Sequence, residues 1–171
     1  MNTQHEIDDY LTTHHPESIL LHRIEWLVFG HVSFTKKVSH AKKDAPRIRR
    51  FVGLLFGLAS ACGVKPRRLV YFQNNEVKPE TDFHHIHFLL GSHGLEKFAA
   101  PEICEMLGQK AGEFGFDDCK FAPYDPTKDG VGYVTKRVFR TLDNGQRVEI
   151  LPDFFLSDAL IKIIKEKDKH E

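Results

Sequence analysis

Residues 83–91 read FHHIHFLLG. Aromatic and branched aliphatic residues dominate this run, a composition that predicts a β-strand. Successive side chains of a strand leave on opposite faces. His85 and His87 therefore share one face, while Ile86 and Phe88 share the other and suit a core. His84 points away from the pair. Two imidazoles side by side on a rigid strand are half of a divalent-metal site.

Upstream, RRLVYFQNN reads as another strand, and Pro79 in EVKPETD signals a turn, so the two strands form a hairpin. Further out, RIEWLVFGHVSFT (residues 23–35) is a first strand, and PRIRRFVGLLFGLASACG a helix with Pro46 in its first turn and Gly63 at its C′ position. Downstream come a helix across PEICEMLGQKAGEFG, a short strand at DDCKFAPYD and a helix at KDGVGYVTKRVF. A short strand at RVEILP and an amphipathic helix with Ser157 as N-cap end the chain, and residues 5–14 suit a short acidic helix. The order β-α-β-β-α-β-α predicts an α+β fold, a ferredoxin-like or RRM-like antiparallel sheet with helices packed mainly on one face. The other face is left open for His85 and His87.

The 171 residues suit one domain (1–171), with its core at about 23–140. Charge is balanced, 24 basic against 24 acidic residues, which argues against a uniformly positive coat. The distribution is uneven, however: Lys36, Lys37, Lys42, Lys43, Arg47, Arg49 and Arg50 crowd one region, and field depends on distribution. Arg47, Arg49 and Arg50 oppose the dipole of the helix they begin, a hint of an anionic partner. Three cysteines without CxxC spacing predict free thiols in a reducing compartment. No signal-peptide pattern is present, and no run approaches the roughly 20 apolar residues that cross a bilayer. The expectation is a soluble, cytoplasmic protein with no membrane partner, or a nuclear one if it comes from a eukaryotic virus.

Eleven histidines make an HxH pair unremarkable by itself, so the site must be completed from elsewhere. Glu76, Asn74 and Gln73 precede the hairpin turn and can approach the pair. Glu76 is preferred as third ligand because a carboxylate suits Mg²⁺ or Mn²⁺. In GVGYVTKRV, Tyr133 and Lys136 lie three residues apart, on one face of a helix. A phenol, with an ordinary pKa of about 10, is a poor nucleophile near neutral pH. A neighbouring metal or lysine would stabilise the phenolate. Gly130 and Gly132 would let a nucleic-acid backbone come close. Thr35, Lys36 and Lys37, together with Arg137, are the candidate DNA contacts.

These three stretches, in this order, resemble the HUH endonucleases, in particular the rolling-circle replication initiators (Rep proteins). WLVFGHVSFTK looks like the family's first motif, FHHIHFLLG its His-hydrophobe-His metal motif and GYVTKRV its tyrosine motif. The resemblance covers about residues 23–140. It implies a metal-dependent enzyme that nicks and rejoins single-stranded or hairpin origin DNA through a 5′-phosphotyrosine intermediate. Carried over, His85 and His87 bind Mg²⁺ or Mn²⁺, Tyr133 is the nucleophile, Lys136 positions the phosphate or phenolate, and Glu76 completes the metal site. A single tyrosine in the third motif speaks against double-tyrosine chemistry. No GxxxxGK[ST] sequence is present, so unwinding would fall to a separate helicase. Three alternatives stay open: a small single-tyrosine HUH transposase, a non-catalytic RRM-like nucleic-acid-binding module, and a metal-binding protein unrelated to DNA.

Overall fold

A computed structural model describes residues 21–37, 45–77, 83–116, 118–135, 139–141, 147–149 and 154–167. The acidic helix expected over residues 5–14 lies outside them. The elements run β1 (Trp26–Lys37), α1 (Ala45–Ala61), β2 (Tyr71–Val77), β3 (Phe83–Gly91), α2 (Ala100–Glu113) and β4 (Asp118–Pro123). After these come α3 (Gly130–Thr135), β5 (Phe139–Thr141), β6 (Arg147–Glu149), β7 (Phe154–Leu156) and α4 (Asp158–Lys167).

Each helix of the β1-α1-β2 and β3-α2-β4 units crosses over one strand, so the two units interleave. The resulting sheet order is β4-β1-β3-β2, with β7 added beside β2 and each adjacent pair antiparallel. This is the α+β, ferredoxin-like arrangement expected from the element order. β5 and β6 pair separately as a two-stranded ribbon.

Alternation assigns the two faces. Val32, Phe34, Ile86, Phe88 and Leu90 point to the side on which α1 and α2 pack. Helix α1 meets them with Phe51, Leu54, Leu55 and Leu58, the i, i+3, i+4, i+7 stripe of an amphipathic helix. Each such fully buried side chain contributes roughly 1.5–3 kcal/mol of transfer free energy. Helix α1 ends as the sequence predicts. Gly63 adopts φ +68°, and the N–H groups of Gly63 and Val64 bond back to Ser60 and Ala59, a Schellman motif. His84 stacks on Phe34 on this packed side, 5.0 Å between ring centres.

Two of the arginines at the start of α1 make contacts within the fold. Arg50 donates from Nε to Phe114 O at 2.6 Å and from Nη2 to Gly115 O, satisfying carbonyls at the end of α2. Arg47 lies over the Phe34 ring at 5.1 Å. The second strand also starts later than the sequence suggests, because Pro66–Arg68 form a 3₁₀ turn.

The opposite face carries a smaller apolar cluster at one end, where Val131 and Val134 of α3 and Leu160 of α4 meet Trp26, Phe72 and Leu89. Ser157 caps α4 as expected, with Leu160 N–H donating to its Oγ at 3.3 Å. The same Oγ accepts from Tyr71 N–H at 3.0 Å, tying α4 to β2. Among the described residues, no helix is long and apolar enough to cross a membrane.

Gly30 gives a direct test of the packed face. A Cβ there would stand 2.1 Å from Cε1 and Cζ of Phe88, a fully buried ring. Gly30→Ala is expected to cost about 1–3 kcal/mol by overpacking. In denaturant unfolding, Phe88→Leu added to Gly30→Ala should recover part of that loss, so the double variant falls short of additivity.

Candidate active site

The register places the polar residues of the second face in two rows. One row runs Lys120 (β4), His31 (β1), His87 (β3), Asn74 (β2). The next runs Asp118, Ser33, His85, Glu76. Both follow from strict alternation, since Val32 and Ile86 between them are fully buried on the helical side.

Within the rows the side chains are tightly linked. Ser33 Oγ lies 2.8 Å from His31 Nε2 and 2.9 Å from His85 Nδ1, and these two nitrogens are 3.3 Å apart. The His31 ring stacks on His85 and His87 with centres 5.5 and 5.0 Å away. Glu76 Oε2 stands 3.9 Å from His87 Nε2. Asn74 Nδ2 donates to Glu76 Oε1 at 3.1 Å and to Val134 O at 2.8 Å. One buried amide therefore ties the carboxylate of β2 to the end of α3.

Helix α3 brings Tyr133 over these rows. Asp129, at φ 43°, precedes the helix and its Oδ1 accepts from Gly132 N–H at 2.9 Å. The Tyr133 ring packs edge-on against His87 at 5.1 Å and Phe29 at 5.8 Å. It remains 43 % exposed. Gly130 and Gly132 are both buried in the free chain, and Gly130 lines the cleft beneath Tyr133. Gly130 lets the Tyr124 ring lie against α3, since a Cβ there would meet Tyr124 Cε2 at 2.8 Å, and Gly132 makes room for the Asp129 cap.

Tyr133, His85, His87 and Glu76 line one cleft of about 700 Å³, together with His31, Phe29, Tyr124 and Lys120. The candidate third ligands separate cleanly. Glu76 is in the cleft; Asn74 shares its face but is engaged with Val134; Gln73 points to the helical side, where its Nε2 donates to Asn75 Oδ1 at 3.2 Å. Thr35, Lys36 and Lys37 close β1, and their side chains lie outside what is described, as do Lys136 and Arg137 altogether. Sequence reasoning misses His31, Lys120 and Tyr124. For His31 the signal is present: it alternates with Val32 and Phe34 just as His87 alternates with Ile86 and Phe88.

Two imidazoles and a carboxylate are a mixed nitrogen–oxygen donor set, in which the carboxylate is the donor that suits Mg²⁺ or Mn²⁺. Donors on one ion with bonds of ~2.1 Å sit roughly 3–3.4 Å apart. The 3.9 Å between His87 and Glu76 is slightly wider. As they stand, no three His, Cys, Asp or Glu side chains among the described residues form a closed metal-binding group. Glu76 fits the ion, and the side chains around it would have to close on that ion.

Behind α3, His22 Nε2 lies 3.7 Å from Oδ1 of the helix-capping Asp129. Burial holds its pKa below the ordinary imidazole value, with Asp129 pulling the other way. A depressed folded-state pKa means that the native state favours neutral His22. Its contribution to stability is complete above the unfolded pKa of about 6.5 and is lost as pH falls below it. Thermal melts from pH 7 to pH 5 should therefore lose less stability in His22→Gln than in the wild type. No family model, curated protein or solved structure matches this chain.

Proposed function

We propose that this chain is a metal-dependent single-stranded DNA endonuclease and strand transferase of the HUH type, acting as a rolling-circle replication initiator. The observation that carries the reading is the shared cleft of Tyr133, His85, His87 and Glu76, with the phenol ring 5.1 Å from the His87 ring. A nucleophile and a divalent-metal donor set face one space large enough for a phosphodiester.

The Tyr133 oxygen attacks phosphorus and loses its proton. The bond from phosphorus to the 3′ oxygen breaks, and that oxygen gains a proton to become a free 3′-hydroxyl. The 5′-phosphate stays on Tyr133, and the reverse attack by a 3′-hydroxyl rejoins a strand and restores the phenol. A divalent ion bound here would polarise the scissile phosphate and offset its developing charge. Ser33 holds Nδ1 of His85, which would leave Nε2 as the nitrogen available to a bound ion. Asn74 keeps Glu76 and α3 in fixed relation. Lys136 is assigned the stabilisation of the phenolate or the phosphate.

The aromatic lining of the cleft, Phe29, Tyr124 and Tyr133, favours one second reading, a nucleic-acid-binding module without catalysis. One experiment separates them. The protein is incubated with Mn²⁺ and labelled single-stranded origin DNA, taken from a stem-loop near its gene, and run on a denaturing gel. A covalent protein–DNA band is expected. Metal-independent binding without any such band would leave the binding module and end the enzymatic reading.

A further inference from the structure

A metal ion and one phosphate group fill only a small part of this cleft. Its volume of about 700 Å³ lies within the ~300–1,000 Å³ typical of sites that hold whole small ligands. The remainder is built differently from the histidine end. Its floor is Phe29 and Ala122, which face each other across β1 and β4 one row from His31 and Lys120. Its wall is Tyr124, whose ring lies on Gly130. The aromatic floor and wall meet a cationic rim: Lys120 is exposed and shares the row of His87, whereas Lys128 is 3.5 Å from Asp125.

We propose that the Phe29–Ala122–Tyr124 end of the cleft is a subsite for one unpaired base of single-stranded DNA, with Lys120 holding a phosphate beside it. Rows on one face of a strand are about 6.7 Å apart. That separation is comparable to the reach from a phosphate to its own base, so a nucleotide with its phosphate over the His–Lys row lays its base on Phe29 and Ala122. A paired base has both faces stacked in a duplex and cannot enter, so the subsite selects single strands. The place of this subsite beside the scissile phosphate rests on the nuclease reading. Its binding chemistry requires no cleavage.

The test uses the full chain in a chelator, with (dT)₈ and an abasic octamer of equal length as probes. The wild type should bind (dT)₈ at least about 10-fold more tightly, as expected for a base stacked on an aromatic ring. Tyr124→Leu should reduce that ratio to below about 3-fold, while Tyr124→Phe, which keeps the ring, should preserve it. Lys120→Ala should weaken both probes alike and lower the slope of log affinity against log salt by about 1. Ala122→Asp, an exposed change that leaves the core intact, should oppose (dT)₈ binding even if Tyr124→Leu fails to fold. Equal affinity for the two probes in the wild type, or full base preference in folded Tyr124→Leu, would overturn the subsite. A missing covalent band with base preference intact would defeat the nuclease reading and leave the subsite standing.

Discussion

Tyr133→Phe is expected to abolish the covalent DNA adduct, a loss of at least about 10³-fold in nicking, while binding the same oligonucleotide within about 2-fold. Phenylalanine has no oxygen to bond phosphorus, so the covalent route is closed rather than slowed. The ring can keep its edge contacts with His87 at 5.1 Å and Phe29 at 5.8 Å. Tyr133 as a residue is 43 % exposed, and phenylalanine keeps the volume of its ring. The melting temperature should stay within about 1 °C, well below the 2–4 °C or more that accompanies a loss of ~1 kcal/mol. The cleft holds a second phenol, and this sets the control. Burial, together with Asp129, raises the pKa of Tyr124 above the ordinary phenol value, and the backbone N–H of Val131 only partly offsets this. Tyr71 is pushed up further, to about 12, by burial and then by Asp158. Neither is suited to supply a phenolate, so Tyr124→Phe should retain the adduct. An adduct surviving in Tyr133→Phe but not in Tyr124→Phe would move the nucleophile nine residues upstream.

The fold was legible where pattern is local. His85 and His87 alternate with Ile86 and Phe88, and period two alone puts them on the face away from the helices. The stripe from Phe51 to Leu58 and the glycine at position 63 bound α1 without reference to anything else. What escaped reading depends on pairing across long sequence separations. That Glu76 stands opposite His85 requires the hairpin register, which a turn of unknown length does not fix. That Gln73 is excluded as a ligand follows once the strand's phase is known, since it pairs with Phe88 and shares its face. Part of the role of the basic run at 47–50 was hidden for a related reason. Arg50 finds its partners at Phe114 and Gly115, more than sixty residues away, and composition carries no sign of them. The close packing of the α3 glycines on Tyr124 and Asp129 was equally invisible, because it depends on side chains that the turn before α3 brings round.

The second large effect belongs to His87 and Glu76. His87→Ala removes an imidazole from the centre of the site. Glu76→Gln removes only charge, since its amide oxygen can still accept from Asn74 Nδ2. Both should lose Mn²⁺-dependent nicking, and a readout that needs no turnover is the stabilisation that Mn²⁺ confers on the folded protein. At a free ion concentration 100 times Kd, binding stabilises the native state by ~2.7 kcal/mol, whereas a site weakened 100-fold is half filled and gives only ~0.4 kcal/mol. The Mn²⁺-induced rise in melting temperature should therefore nearly vanish in His87→Ala and shrink strongly in Glu76→Gln. DNA affinity measured in a chelator should change by no more than about 3-fold, because neither substitution removes a cation such as Lys120 from the cleft. A full Mn²⁺ shift in both variants would place the ion away from this row. Glu76→Ala should do something that Glu76→Gln does not. It strips Asn74 of one of its two acceptors and leaves the amide to Val134 alone, so the end of α3 loses a restraint that comes from β2. A slower adduct in Glu76→Ala than in Glu76→Gln, at Mn²⁺ concentrations that saturate both, would then measure what that restraint contributes to aiming Tyr133.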